Sequence, residues 1–358
     1  MKIALITDTH CGSGNDNTAL NEFFLKFYED IFFPYLEKHN IKNVIHLGDV
    51  FDRRKYINFK TLNSWQTRVF KRLNDTCDRV DILIGNHDTY YKNTNSINSV
   101  NELLRVYENI HSYENASEVN FGDLKLLYLP WICEENKNHS LDLLNRSNAK
   151  ICLGHLELIG FEMYAGHINV DKGFKKELFD KFYMTMSGHF HQKSSMGSIH
   201  YLGAPYAMMW GDYGSPKGFH ILDTETMELT FIENPIKMFN KIYYDDTGKS
   251  YEDLMSQDYS FISGMFIKLI VNKKTNPYLF DKFLENLQTH NPSDISVIES
   301  FLDTDNIDNH EIDEAKDTLT ILKDCVELLD IEDKDSVNNL LRELYLEAIN
   351  TNEYVQGD

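Results

Sequence analysis

Cysteine is scarce in this chain, and what there is sits in no ligand spacing. Cys11, Cys77, Cys133, Cys152 and Cys325 are scattered, odd in number and without a C-x-x-C pair. That argues against both a disulfide framework and a zinc ribbon. Cys11 lies beside a candidate ligand, His10, but as a small packed residue it needs no metal. Long apolar runs are missing as well: nothing approaches the ~20 uninterrupted residues that span a bilayer, so no membrane partner is expected. The run from Met1 reaches a carboxylate at Asp8, too early for a signal peptide, and the expected location is cytoplasmic. Positive charge is short too. Thirty-five Lys and Arg face 56 Asp and Glu, leaving a net charge of −21. The shortage is uneven: residues 1–240 carry 25 basic and 30 acidic side chains, residues 241–358 carry 10 and 26. The C-terminal third would therefore repel a polyanion.

What is present is enough chain, 358 residues at 42% hydrophobic, for a sizeable core and two or more domains. Ile3 to Thr7 reads as a buried strand ending in Asp8-Thr9-His10. A helix is predicted from about Asn17 to His39, with Leu20, Phe23, Phe24, Phe27, Ile31 and Tyr35 at helical spacing. The strand Val44–Leu47 ends in Gly48-Asp49-Val50-Phe51-Asp52, and a helix over about Lys60 to Asn74 leads to the strand Val80–Ile84, which runs straight into Gly85-Asn86-His87-Asp88. Strands alternating with helices, with polar residues at the strand ends, form an α/β pattern. Later strands end in Gly154-His155 and in Gly188-His189-Phe190-His191. Beyond Pro235 the pattern becomes a compact β-β-α-β module whose helix opens at Asn276-Pro277. An acidic, apolar-poor linker comes next, then two acidic helices, each with one apolar stripe.

One histidine at a strand end is unremarkable. Here five strand ends carry ligand-type residues: Asp8 and His10, Asp49 and Asp52, Asn86 and His87, His155, then His189 and His191. In D-x-H and H-x-H an extended backbone points both side chains the same way, so both can face one ion. A mixture of imidazole, amide and carboxylate suits manganese, iron or zinc better than calcium or magnesium alone. Two such ions can share a carboxylate and clamp a phosphoryl group, and Asp49 is the natural bridge.

Asp8-x-His10, Gly48-Asp49-x-x-Asp52, Gly85-Asn86-His87-Asp88, Gly154-His155 and Gly188-His189-x-His191, in that order, resemble the signature of the calcineurin-like metallophosphoesterases over roughly residues 1–235. Within that superfamily the chain is similar to the SbcD-type DNA double-strand-break-repair nucleases, in particular those of the T-even phage recombination endonucleases. Pro130 to Asn136 and Gly154 to Phe161 carry the second likeness. The resemblance implies a four-layer α-β-β-α sandwich over 1–235, a small α+β capping domain over 236–300 that helps to select DNA, a linker over 301–315, and helices over 316–358 that dock on the coiled coil of an SbcC-type ABC ATPase. It implies one metal held by Asp8, His10, Asp49 and His191 and a second by Asp49, Asn86, His155 and His189, manganese first and magnesium, iron or zinc as alternatives. His87 would be the general acid and Asp88 would orient its imidazole. Cellular relatives commonly carry a second active-site His where this chain has Asp52. A carboxylate cannot donate as imidazolium can, so among the candidate phosphate or DNA contacts Asp52, Arg53, Arg54 and Lys55 the positive charge would come from the last three, which a solvated basic turn would explain equally well.

The implied partners are double-stranded DNA ends, the ATPase, and a second copy of the chain within a heterotetramer, with Leu62, Trp65, Val69 and Leu73 as candidate dimer positions that ordinary core packing would explain equally well. Cytoplasmic would then mean that of a bacterial host. The alternative is a phosphatase or small-molecule phosphodiesterase on the same scaffold, since Gly48 to Arg53 also resembles a protein phosphatase pattern. A non-catalytic scaffold is a third reading, against which the complete ligand set argues.

Overall fold

The computed structural model describes residues 1–164, 167–170 and 172–299, with six isolated positions between 326 and 341. The chain divides into two units, Met1–Asp305 and Asn306–Asp358. The linker and terminal helices expected over 301–358 lie almost wholly outside the described residues. Every strand described belongs to the first unit.

Strands β1 (Lys2–Ile6), β2 (Asn43–His46), β3 (Arg79–Leu83) and β4 (Ile110–Tyr113) run parallel. A second series begins with β5 (Ser117–Phe121), β6 (Leu124–Leu129) and β7 (Ile151–His155), followed by a two-stranded pair, β8 (Glu162–Tyr164) and β9 (His167–Ile168). It continues with β10 (Met184–Gly188), β11 (Ser194–Met196) and β12 (Ile199–Tyr201), and the hairpin β13 (Gly218–Asp223) and β14 (Leu229–Glu233) returns to the first sheet. The first sheet has the order β14-β13-β1-β2-β3-β4 and the second β11-β12-β10-β7-β6-β5. Each keeps its ligand-bearing strands in a parallel block, β1 to β4 in one and β12-β10-β7-β6 in the other, with antiparallel strands added at an edge.

Alternation along the strands builds the layers, because successive side chains point to opposite faces. Ile3, Leu5, Ile45, Leu47 and Leu83 form one core with Leu126, Tyr128, Ile151, Leu153 and Met186, sheet on sheet. Their sequence neighbours Ala4, Ile6, Val44, Val80 and Ile82 pack outward against Phe24, Phe27, Phe32, Trp65 and Phe70 of two helical runs. On the far side, Leu127, Leu129 and Cys152 meet Leu143, Leu144 and Phe179. The layers are therefore helix, sheet, sheet, helix, as the resemblance implied.

The two helical runs hold a feature that apolar spacing does not predict. Thr18–Phe27 passes through a π-turn, Tyr28–Phe32, into Phe33–Lys38; Phe59–Trp65 passes through another, Gln66–Phe70, into Lys71–Thr76. Tyr28 and Trp65 meet edge-on at 5.5 Å. Trp65, Val69 and Leu73 are thereby buried in the core and Leu62 packs partly against it. These positions, expected on a dimer surface, are instead occupied within the chain itself. Strand β4 and the helix Lys137–Arg146 escape the sequence reading. The first is an edge strand with His111 exposed, and the second is short of apolar residues, so neither shows a long periodic run.

A third sheet, β15 (Phe239–Asp245), β16 (Phe266–Lys273) and β17 (Asp294–Glu299), is wholly parallel. The helix Pro277–Thr289 covers it through Phe280, Phe283 and Leu287, packed on Tyr244, Ile267 and Leu269. Asn276 caps that helix, accepting from the backbone of Tyr278 at 3.0 Å. The sequence reading missed the short helix Tyr251–Met255 between the first two strands.

Trp65 is fully buried and its indole N–H donates to Asn21 Oδ1 at 2.7 Å. Trp65→Ala should destabilise the fold by about 3–5 kcal/mol, the usual cost of emptying such a site. Urea unfolding would measure it, and a change below about 1 kcal/mol would place the residue outside the core.

Candidate metal centre

The turns that leave β1 and β2 stay paired after the strands end. The N–H of Asp8 donates to Gly48 O at 3.0 Å, those of Thr9 and His10 to Asp49 O at 2.9 and 3.1 Å, and that of Cys11 to Val50 O at 2.8 Å. Holding this course needs left-handed backbone at residues that disfavour it: φ is 52° at Asp8, 43° at His10, 56° at Asp49 and 88° at His189. Each costs on the order of 1–2 kcal/mol for a residue with a Cβ. Glycine supplies the clearance beside them. At Gly48, φ 106°, a Cβ would lie 2.6 Å from His155 Nδ1; at Gly85 it would collide with Asp49, and at Gly188 with Thr7.

The result is a convergence of donors. Asp8, His10 and His191 present ligand atoms within 4.8 Å of one another, and so do Asp49, His155 and His189. Asp49 Oδ2 lies 3.3 Å from His155 Nε2 and 3.8 Å from His10 Nε2, between the two trios. Asn86 Oδ1 is 3.0 Å from His155 Nε2 and 2.9 Å from His189 Nδ1. A third trio, His10, Asp52 and His87, borders the first.

These contacts are short between groups that cannot all satisfy one another. His155 Nδ1 faces the carbonyl of Leu47 at 2.8 Å, so it donates there, and Nε2 is the atom left facing Asn86 Oδ1 and Asp49 Oδ2. His10 Nε2 and His191 Nε2 stand 3.1 Å apart. Lone pairs turned toward each other call for a proton or a cation, and imidazole, amide and carboxylate suit a divalent ion. The residues fit. The titration of the four histidines shows the same demand. Burial opposes charge on all of them, but Asp52, Asp49 and Asp8 lift His10 to about 9, and Asp49 lifts His155 to about 9. Burial and then the neighbouring His155 bring His189 down to about 3; burial and then His10 bring His191 to about 4. Burial would raise the Asp49 carboxyl, yet the histidines around it hold it well below the usual range.

His87 stands beside the trios, its ring edge-on to His10 at 4.8 Å. Its backbone N–H donates to Asp49 Oδ1 at 2.7 Å, and its Nδ1 lies 2.7 Å from the carbonyl of Asp52. That carbonyl, not Asp88, orients the imidazole. The expectation for Asp88 is therefore corrected. Its Oδ2 accepts from the N–H of Asp49 and Gly85, both at 2.9 Å, and its Oδ1 from those of Val50 and Phe51, both at 3.0 Å. Burial and the neighbouring Asp49 push its carboxyl up to about 7 while these donors pull the other way. With both oxygens accepting, the bonded form is the carboxylate.

His46 belongs to the same machinery and escaped the sequence reading, where it looked like one more strand residue. Its Nδ1 accepts from the N–H of Gly48 at 3.2 Å, so Nε2 bears the proton and donates to Thr9 Oγ1 at 3.0 Å. It ties the turn of Asp49 to the turn between Asp8 and His10. Its place two residues before Gly48 was the only available signal.

Of the basic residues expected near phosphate, Arg53 pairs with Asp16 and leans on the Tyr56 ring at 4.7 Å. Arg54 reaches Thr89 Oγ1 at 3.4 Å and Lys55 lies 5.8 Å from the Tyr90 ring centre. Asp52 Oδ1 lies 3.3 Å from His10 Nδ1.

Two six-stranded sheets packed face to face, with Asp, Asn and His at the ends of their inner strands, define a metallophosphoesterase. Residues 1–193 match the calcineurin-like phosphoesterase family model, and the chain belongs to that family as a metal-dependent phosphodiesterase. It is 30% identical over 352 residues to exonuclease subunit 1 of enterobacteria phage T4, covering 97% of this chain and 99% of the relative. Among solved structures, an archaeal phosphodiesterase matches at 15% identity, covering 65% of this chain and 100% of its own, with a TM-score of 0.32. The Pseudomonas putida nuclease MPE matches at 14%, covering 61% and 83%, with a TM-score of 0.28.

The role of Asp88 is open to a direct measurement. Asp88→Asn turns an amide N–H₂ onto two backbone N–H groups, and should destabilise the fold by about 2–3 kcal/mol through lost charge-assisted bonds. Thermal unfolding with and without divalent cation reads this. Full stability combined with a shifted pH–rate profile would instead return Asp88 to the orientation of His87.

Proposed function

We propose that this chain is the nuclease subunit of an SbcC/SbcD-type ATPase–nuclease complex, hydrolysing DNA phosphodiester bonds at double-strand ends with two divalent cations, manganese foremost. The observation that carries the reading is the pair of donor trios linked by Asp49, which belongs to one and reaches His10 of the other. In it, one ion takes Asp8, His10, Asp49 and His191, the other Asp49, Asn86, His155 and His189. Bound ions would polarise phosphoryl oxygens and lower the pKa of water at the site.

The remaining work falls to side chains. The Asp52 carbonyl occupies His87 Nδ1, which leaves Nε2 as the atom able to give a proton to the departing oxygen. The Leu47 carbonyl fixes the His155 tautomer in the same way. Asp52 replaces an imidazole of the cellular relatives, and its carboxylate beside His10 Nδ1 suits it to orient that ligand instead of touching phosphate. Arg54 remains the nearest candidate for phosphate, because Arg53 is engaged by Asp16.

The likeness to exonuclease subunit 1, over nearly the whole of both chains, supports DNA as substrate and a partner subunit. In this reading the third sheet, within 236–300, helps to select DNA, and the acidic segment 316–358, for which the sequence suggests helices with an apolar stripe, docks on the ATPase, since such a stripe suits a protein partner better than a polyanion. Two copies of the chain would complete a heterotetramer. The third sheet, not a larger hydrophobic pocket, is what favours DNA over a small ester.

With manganese, the full chain should cleave linear duplex DNA as well as a chromogenic phosphodiester, and His87→Ala should lower both rates by at least about 100-fold, the range of general acid catalysis, with metal content unchanged. Hydrolysis of small esters alone, even with the partner ATPase present, would sink the nuclease reading. Unchanged turnover in His87→Ala would remove that residue from the mechanism.

Cation binding should also be linked to pH. His10 and His155 sit at about 9 before an ion binds, so each ion must displace a proton at neutral pH. Affinity at each site should rise about tenfold per pH unit from pH 6 to 8 and level off above 9. Calorimetry in buffers of different ionisation enthalpy would count the released protons, and pH-independent affinity would contradict the assignment.

A further inference from the structure

We propose that the loops Arg53–Lys60 and Thr89–Lys92 form a stacking platform for the unpaired bases of a nucleic acid strand end, fed directly into the metal centre. The inference rests on the nuclease reading and specifies which form of the substrate the site engages.

The setting is a chain of net charge −21, in which a cationic surface beside the site stands out. From Arg53 to Asn74 there are seven Lys and Arg and no Asp or Glu. Arg68, Lys71 and Arg72 are engaged by Glu22, Glu29, Asp75 and Glu37 on the helices, and Arg53 by Asp16. Among the described residues, Arg54, Lys55 and Lys60 have no carboxylate within ion-pair range.

Aromatic rings are interleaved with these cations and left open. Tyr56 is 62% exposed, Tyr91 51% and Tyr90 38%, and Phe59 in the same loop as Tyr56 is 85% exposed. A large ring in water is unfavourable unless something covers it, and the three tyrosines are held in place. Tyr90 and Tyr91 pack edge-on at 4.7 Å, Lys55 reaches toward one face of Tyr90, and Arg53 braces Tyr56. Arg53 and Lys55 thus stand beside Tyr56 and Tyr90, and Tyr91 packs on Tyr90, so cations and exposed rings share one surface, the arrangement that accepts a base and its phosphate together.

The two loops act as one surface, joined by Arg54 to Thr89 and by the Asp52 carbonyl to His87 Nδ1. Tyr90 is three residues from His87, so no more than about 10 Å of backbone separates the platform from the proton donor. A base pair offers only its end to such rings, whereas an unpaired strand offers each base in turn. A duplex end would therefore have to open before its terminal phosphodiester arrived.

The test uses the full chain with manganese and compares the wild type with the quadruple variant Tyr56→Leu, Phe59→Leu, Tyr90→Leu, Tyr91→Leu, which keeps apolar bulk and removes the π-faces. Three ligands are used: a fluorescent single-stranded oligonucleotide, the same strand made abasic, and a blunt duplex. The wild type should bind the base-bearing strand about tenfold or more tighter than the abasic one, the scale of one or two stacked bases. The variant should lose that preference while hydrolysing a small chromogenic diester within twofold of wild type. Equal discrimination by wild type and variant would overturn the platform while leaving DNA cleavage intact. Failure of the wild type to bind any of the three would overturn the nuclease reading and the platform with it. A parallel loss on the small diester would show that the rings support the site itself, which also rejects the proposal.

Discussion

A buried carboxylate whose two oxygens are taken up by backbone N–H groups governs this structure. Asp88 gathers the N–H groups of Gly85, Asp49, Val50 and Phe51 around its two oxygens. Those four groups come from the turns that leave β2 and β3, so one side chain sets the position of one strand end against the next. Asp49, whose own N–H is among them, can then stand between two clusters of histidines. The charge that Asp88 brings into the interior is matched by backbone dipoles, which cost no side-chain entropy to hold. His46 repeats the device one turn away with a neutral ring.

The strain at Asp8, His10, Asp49 and His189 has the same origin. Left-handed backbone at these positions is unfavourable locally, and it persists because parallel strands on either side fix where each turn must start. Buried ligand atoms whose lone pairs face one another, such as His10 Nε2 and His191 Nε2, add a second unfavourable element. Both are offset by the sheet-on-sheet core of Ile3, Leu5, Ile45, Leu47, Leu126 and Leu153, which a small ester-binding loop could not supply.

Most of this was legible in the sequence, for reasons that can be named. The ligand-type residues stand directly after apolar strands, and their order carried the resemblance that implied the sandwich. What stayed hidden depends on contacts between distant segments. Asp88 was read with its sequence neighbour His87, but its partners are the backbone of residues 49–51, to which no side-chain pattern points. His46 was masked by its strand. Trp65, Val69 and Leu73 formed an apolar stripe that periodicity alone could assign to a core or to a partner, and the π-turn at Gln66–Phe70 places them in the core. The edge strand β4 and the polar helix Lys137–Arg146 gave too weak a periodicity to register.

The donor groups are divided between the two sheets. Asp8, His10, Asp49 and Asn86 lie beyond strands of the first, and His155, His189 and His191 belong to the second. Neither sheet by itself completes either of the trios that flank Asp49. The imidazoles that complete those two trios come only with the second sheet, while β13 and β14, which finish the first sheet, come later still. A chain that stops after β4 holds the carboxylates without their partners, so metal-dependent hydrolysis needs both sheets in place.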